Sequence, residues 1–362
     1  MSQRIIAHLD MDAFFASIEE VSTPGFLGKP IVVGAEIING KGRGVVSTAN
    51  YKAREYGIHS AMPISVAFNL SQKAKKEGKP EVIFLPVDFD LYERISESIF
   101  KIIKSYVTVV EKASIDEFYF DLSFLKTFKK AEAICLKIKE DIKKQHNITC
   151  SVGISINKLV SKIAAGINKP NAILTVKKKD VQSFLNPLSI REIPGIGPKT
   201  AQVLFLKKIE TIKELNNYSE EKLGQLFGKQ GLKIFKKIKG FDNDPVIESY
   251  EVKSIGEQVT FEENTKDISF LFDEFQRISF NVFNRFLKTS FISFSKITIT
   301  VRFSDFETKT CSKSFKGGIT DFKKFNLEVL KLMFPFLDKR NNPKGKSFRL
   351  IGVKIEKLLT CL

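Results

Sequence analysis

Two short acidic clusters set in apolar surroundings, far apart along the chain, constrain it most. Arg4-Ile5-Ile6-Ala7-His8-Leu9-Asp10-Met11-Asp12 ends an apolar run in carboxylates. Ala113-Ser114-Ile115-Asp116-Glu117-Phe118-Tyr119-Phe120 places two more inside a β-prone stretch. Burying carboxylates in strands is costly unless positive charge meets them. Divalent metals bridged by carboxylates would do so, and such a pair can clamp the attacking and leaving oxygens of phosphoryl transfer. One geometric condition applies: neighbours in a straight strand point to opposite faces. Asp116 and Glu117 can share a site only if a turn or bulge falls there, and no Asn-Gly or Asp-Gly pair marks one.

The chain has 362 residues, enough for two or more domains. Its 58 basic side chains outnumber 41 acidic ones, for a net charge of +17, which suits a polyanionic partner. The excess is densest in residues 173–241, with 14 basic and 6 acidic side chains, so that segment should hold the polyanion most closely. No apolar run approaches the ~18 residues of a membrane span. The strand pattern begins too early for a signal peptide. Cys135, Cys150, Cys311 and Cys361 show neither metal-ligand spacing nor a disulfide framework, as expected for reduced thiols in a cytoplasmic protein. His8, His59 and His146 are too scattered for a histidine-based site.

Periodicity predicts a strand over 4–9, a helix from Phe14, strands Pro30–Gly34 and Val45–Thr48 flanking the turn Gly40–Gly44, and a helix Tyr51–Tyr56. Further on it predicts helix Leu91–Tyr106, a strand-rich Val107–Leu122, helix Ala131–Gln145, strand Ile148–Ile156 and helix Lys158–Ile167 behind Asn157. This order suits an α+β sheet with helices on one face. Residues 173–241 read as helices punctuated by glycine, and Asp242-Asn243-Asp244-Pro245 as the start of a linker. Residues 254–362 read β-α-β-β-α-β, a second α+β domain.

Within the basic segment lies Ile193-Pro194-Gly195-Ile196-Gly197-Pro198-Lys199-Thr200-Ala201. Glycines allow a tight turn, and Pro198 suits the first helical position. The free amides of such a helix start can bind a phosphate oxygen. This is a helix–hairpin–helix signature, which grips duplex backbone without reading sequence; Gly195, Ile196, Gly197 and Lys199 are its DNA-binding candidates. Phe227-Gly228-Lys229-Gln230-Gly231 reads as a degenerate second copy, giving Gly228 and Gly231, or else as part of a solvated charged helix.

Together these stretches resemble the Y-family, DinB-type translesion DNA polymerases across nearly the whole chain. The carrying motifs are His8–Glu19, Ser47-Thr48-Ala49-Asn50-Tyr51-Lys52-Ala53-Arg54, Ala113–Glu117, Asn157–Ala164 with Asn168-Lys169-Pro170, the Pro-Gly-Ile-Gly segment, and Lys253-Ser254-Ile255-Gly256. The resemblance implies a right-hand polymerase: palm 1–13 with 83–172, small fingers 14–82, helical thumb 173–241, linker 242–253 and a βαββαβ little finger 254–362.

It also implies residue roles. Asp10 and Asp116 would ligate both of two Mg²⁺ ions, Glu117 the one that activates the primer 3′-hydroxyl, and the Met11 carbonyl would be a further ligand. Asp12 matches no family ligand and is expected to be structural. Phe15 resembles the steric gate that rejects ribonucleotides, since a 2′-hydroxyl against its ring would clash and lack a partner. Phe14, Ser47, Thr48, Tyr51, Arg54 and Lys162 match nucleotide-binding positions, Ser47 as a small roof over the nascent base pair. The expected partners are primer–template DNA and a deoxynucleoside triphosphate, and the expected enzyme is an error-prone monomer without proofreading. Relatives often end in a glutamine-led peptide that docks on the sliding clamp. Here Ile355–Leu362 has no glutamine, so clamp binding would rest on Leu358, Leu359 and Leu362. A DNA-binding scaffold, a metal-dependent nuclease and a nucleotidyl cyclase are the rival readings.

Overall fold

The computed structural model describes residues 4–37, 40, 42–249, 251–338 and 340–360. It divides into two compact units. One comprises residues 1–34, 46–62 and 66–249; the other comprises 35–45, 63–65 and 250–362.

The first unit begins with β1 (Ile6–Met11), α1 (Phe14–Ser22), β2 (Ile31–Gly34), β3 (Val46–Ala49) and α2 (Tyr51–Arg54). There follow α3 (Ile64–Lys76), whose first residues belong to the other unit, then β4 (Ile83–Leu85), α4 (Phe89–Tyr106), β5 (Val110–Lys112) and β6 (Glu117–Asp121). Next come α5 (Phe128–His146), β7 (Cys150–Ser155), α6 (Lys158–Ile167) and β8 (Ile173–Thr175). The helical region holds α7 (Val181–Leu185), α8 (Pro198–Phe205), α9 (Ile212–Leu215), α10 (Glu220–Phe227) and α11 (Lys229–Ile238).

A five-stranded sheet, in the order β5-β6-β1-β7-β8, organises this unit. Strand alternation sorts its residues by face. Ala7, Leu9, Met11, Phe118, Phe120 and Val152 join a core with Tyr92, Ile99 and Ile103 of α4 and Cys135, Ile138 and Ile142 of α5. The alternate residues are polar or small: His8, Asp10, Glu117, Tyr119, Ser151 and Gly153. Against Gly153 lies α6, so closely that a Cβ there would stand 2.0 Å from the Ser161 carbonyl oxygen and 2.5 Å from the Ala165 nitrogen. The expectation of helices on one face is therefore corrected: α4 and α5 cover one face and α6 the other, because the glycine opens a groove for it.

Caps fix the helix starts. Asp88, Thr127 and Asn157 accept from Leu91, Lys130 and Val160 amides at the heads of α4, α5 and α6. A three-stranded sheet β3-β2-β4 pairs β2 with β4 in parallel, so the small sheet runs on to Leu85. β8 pairs in parallel with β7, which carries the five-stranded sheet to Thr175. Among the described residues, no helix is long and apolar enough to cross a membrane.

The second unit contains β9 (Ser254–Thr265), α12 (Ile268–Leu287), β10 (Ser293–Phe303), β11 (Thr308–Ile319), α13 (Phe322–Leu337) and β12 (Phe348–Leu359). Its sheet, in the order β11-β10-β12-β9, is antiparallel throughout. The core between sheet and helices is rich in phenylalanine, including Phe275, Phe283, Phe294, Phe325 and Phe336. The predicted βαββαβ order is observed.

Candidate active site

The geometric condition on the acids is met by where β6 begins. The strand starts at Glu117, and Asp116 lies in the preceding turn. The Ser114 hydroxyl builds that turn: it accepts from the Glu117 amide at 3.0 Å and bonds the Asp116 carboxylate at 2.7 Å. A serine that serves backbone amides is a turn former without glycine. The Met11 amide donates to the Asp116 carbonyl at 3.0 Å, locking the turn onto the end of β1. Glu117 pairs directly across from Asp10 in the β1–β6 ladder. Asp10 and Glu117 therefore share a face, with Asp116 beside them.

Two lysines complete this cluster. Lys162 of α6 is bonded to Glu117, and Lys169, at the cis Lys169–Pro170 bond, is bonded to Asp10. His8, buried one strand position inward, holds the other side of the glutamate, with Nε2 at 3.2 Å from the same carboxylate oxygen. The hydrogen bond from His8, reinforced by Lys162 against the opposing effect of burial, holds the Glu117 carboxyl down at about 2. Burial pushes the Asp10 carboxyl up despite Lys169, and it keeps His8 below its ordinary value. A neutral His8 must carry its proton on Nε2 to serve Glu117, and buried Nδ1 has no partner.

Among the described residues no three His, Cys, Asp or Glu side chains are gathered in a metal-binding geometry. The donor set nonetheless fits a divalent cation. It is all oxygen, it clusters at a strand end, and both inner carboxylates already draw in cations, here the ammonium groups of Lys162 and Lys169. Hard divalent ions take such ligands.

Asp12 is placed differently. It is buried, and its carboxylate accepts from Thr149 and Ser151 hydroxyls at 2.8 Å each and from the Asn171 amide at 2.7 Å. These bonds fasten β1 to β7 and the turn after α6, a structural role.

Of the nucleotide candidates, Lys162 meets Glu117 and Tyr51 feels the charges of Asp12 and Asp10. Phe15 stacks on Tyr92 at 4.2 Å and meets Phe89 edge-on at 6.1 Å, which fixes its ring. Phe14 is buried in the core, so its side chain is committed to packing, and only its backbone is left for a ligand. Arg54 lies over the Tyr51 ring at 4.7 Å and donates from Nε to the Ala49 carbonyl at 2.9 Å. The Tyr51 hydroxyl is buried without a hydrogen-bond partner, and burial with the nearby Asp12 charge pushes its pKa up to about 12. Ser47 and Thr48 lie half-buried on β3.

In the helical region, Gly197 caps α8 with Pro198 at the first turn. Gly195 has φ +102°, open to glycine alone. Lys237 donates to the Pro194 carbonyl at 2.6 Å and Gln230 to that of Gly195 at 3.2 Å, so α11 buttresses the loop. Gly231 has a packing role: a Cβ there would stand 1.8 Å from the Leu223 carbonyl oxygen of α10. Gly228, φ +58°, makes the bend between these helices. Ile196 is buried and anchors the loop, and Lys199 is exposed.

Sequence reasoning left Lys169 and His8 without roles. Both stand inside quoted motifs, and the signal for His8 was its position two residues before Asp10, on the same strand face.

A carboxylate cluster at a palm-like strand end, roofed by a lysine helix and joined to a helix–hairpin–helix region, defines the class of nucleotidyl-transferring polymerases. Comparison with known proteins narrows the class. The impB/mucB/samB family matches residues 9–166, its helix–hairpin–helix motif 178–209 and its C-terminal domain 252–360. DNA polymerase IV 2 of Methanosarcina mazei is 38% identical over 98% of this chain and 93% of its own length. DNA polymerase IV of Staphylococcus saprophyticus is 34% identical over 99% and 96%. Among solved structures, a Y-family chimera, Dbh-Dpo4(243-245)-Dbh, is 29% identical with TM-score 0.83 over 99% of this chain and all of that one. DinB from Sulfolobus solfataricus is 30% identical with TM-score 0.65 over the same shares. The chain belongs to the Y family of DNA polymerases, DinB type. It is a template-directed translesion DNA polymerase and depends on a divalent metal.

Proposed function

We propose that Asp10, Asp116 and Glu117, with the Met11 carbonyl, hold two Mg²⁺ ions beside a primer terminus. The observation that carries this reading is the cross-strand pairing of Asp10 with Glu117, with the Asp116 turn bonded to Met11. Bound there, the ions would activate the primer 3′-hydroxyl and stabilise charge on the leaving pyrophosphate.

The chain's own residues do the rest. Lys162 exchanges its bond to Glu117 for the triphosphate, and Arg54 adds a second positive charge where negative charge develops. The unpartnered Tyr51 hydroxyl donates to a phosphate oxygen, with Thr48 beside it on β3. The Phe14 backbone lies along the nucleotide, and the Phe15 ring, wedged against Tyr92, blocks a ribose 2′-hydroxyl. Ser47 leaves room above the templating base. The glycine loop with Gly195, Ile196, Gly197 and Lys199 grips the primer–template backbone, with Gly228 and Gly231 shaping the hairpin behind it. The fingers, thumb and little finger follow the boundaries given above. Residues 242–253 are the linker, the enzyme works as a cytoplasmic monomer, and weak sliding-clamp binding rests on Leu358, Leu359 and Leu362. Leu359 is half exposed, and Leu362 lies outside the described residues.

Primer extension with Mg²⁺ titrated back after chelation tests this. Extension should require template, deoxynucleotides and Mg²⁺, and Lys162→Ala should raise KM for the triphosphate about tenfold. Strand cleavage without deoxynucleotides would favour a nuclease instead.

A further inference from the structure

The alternate face of the five-stranded sheet carries a polar row that reaches beyond the active site. Glu111 of β5 is 1% exposed, yet it is a carboxylate. Both its oxygens bond Lys158 of α6, at 2.6 and 2.8 Å, and one also accepts from the Ile247 amide at 3.0 Å. Lys158 lies over the Tyr119 ring at 4.8 Å, and Tyr119, directly across from Glu111, packs on His8 at 4.4 Å. His8 holds Glu117, and Glu117 meets Lys162, one helical turn beyond Lys158. The row thus runs without a break from Ile247 to the catalytic carboxylate.

The segment after α11 is fastened along this row. The Gly240 carbonyl accepts from Asn157 at 2.8 Å, and the Asp242 carboxylate accepts from the Leu159 amide at 2.8 Å, at the head of α6. Arg4 donates to the Asp242 and Asp244 carbonyls, and Glu248 pairs with Lys104. A free tether needs none of these bonds. A buried carboxylate is stable only with its cation in place, so Glu111 fixes where Lys158 sits. A lysine fixed at the first turn sets the rotation of α6, and with it the position of Lys162.

We infer that Glu111 is a positioning residue: through Lys158, and with the 240–248 segment strapped over the head of α6, it sets Lys162 over Glu117. The inference rests on the site reading above, in which Lys162 serves the triphosphate.

Steady-state extension at varied triphosphate concentration, with DNA affinity measured in parallel, tests it. Glu111→Gln should raise KM for the triphosphate by roughly tenfold, the scale of a small misplacement of a binding group, with DNA affinity unchanged. Glu111→Asp should recover part of the loss. In a Lys162→Ala background, Glu111→Gln should add almost nothing, since the two act through one group. Effects that multiply, or a lowered melting temperature with wild-type KM, overturn the inference. If Glu111→Gln does not fold, Asp242→Asn in the strap should give the same KM rise, and an unchanged KM overturns the inference. Lys162→Ala with wild-type KM sinks the site reading and the inference together; an impaired Lys162→Ala beside a normal Glu111→Gln sinks the inference alone.

Discussion

Asp10 and Glu117 stand directly opposite each other across the β1–β6 pair, and each is bonded to a lysine from outside the strands. Both carboxylates are partly buried, and burial alone would push them toward the neutral form. At Glu117 the His8 hydrogen bond, with Lys162, outweighs burial and keeps the negative charge, while at Asp10 Lys169 opposes a burial that still pushes the carboxyl up. Negative charge held at a strand end is the electrostatic condition for metal-assisted transfer, and the consequences below follow from it and from the packing around it.

Phe15 cannot swing away, because Tyr92 stacks on one side and Phe89 abuts it. Phe15→Ala should open the space for a ribose hydroxyl and lower sugar discrimination by roughly 10²-fold or more. Single-nucleotide insertion with paired deoxy- and ribonucleotides measures this. Unchanged discrimination would mean that another side chain guards the sugar.

Gly153 is required by the approach of α6. Gly153→Ala would drive a methyl into the Ser161 carbonyl, and the helix would have to shift. Destabilisation of about 1–3 kcal/mol or more is expected, seen as a lower urea midpoint. A wild-type midpoint would show that α6 is not seated as described.

Glu356 reports on the second unit. Burial pushes it up, but bonds from the Thr298 hydroxyl, Lys354 and Lys296 outweigh this and hold its carboxyl at about 2. A depressed folded-state value contributes stability that is present above the unfolded pKa and is lost as pH falls toward 2. Screening by solvent around the partly exposed Lys354 and Lys296 keeps the contribution small. Between pH 5 and 3, Glu356→Gln should lose less stability than wild type. Equal losses would show that the carboxylate is not held.

Affinity for primer–template DNA should fall steeply as salt rises, since a chain of net charge +17 that binds a polyanion displaces its condensed counterions. A shallow salt slope in a binding titration would contradict this.

Much of this was legible in the sequence, and the exceptions have physical causes. Helix Lys158–Ile167 was bounded correctly because the Asx cap Asn157 precedes its apolar stripe. The helix Ile64–Lys76 and the strands Ile83–Leu85 and Ile173–Thr175 were not foreseen. The helix ends in a basic turn, Lys73, Lys75 and Lys76, that cuts its apolar period short, and three-residue strands leave too little alternation to read. The acids themselves were found as types, but how Asp116 and Glu117 share a site was not, because Ser114 makes the turn without a glycine. The face taken by α6 depended on one small residue in a strand. The lysine partners were invisible for a simpler reason: Lys169 and Asp10 meet only after the whole sheet has formed.

The most direct test is primer extension by Asp116→Ala beside wild type, with DNA binding measured on the same preparations. Extension should drop by on the order of 10³-fold or more while DNA affinity stays near wild type. Extension at the wild-type rate, with binding intact, would contradict the assignment of the reaction to these three acids.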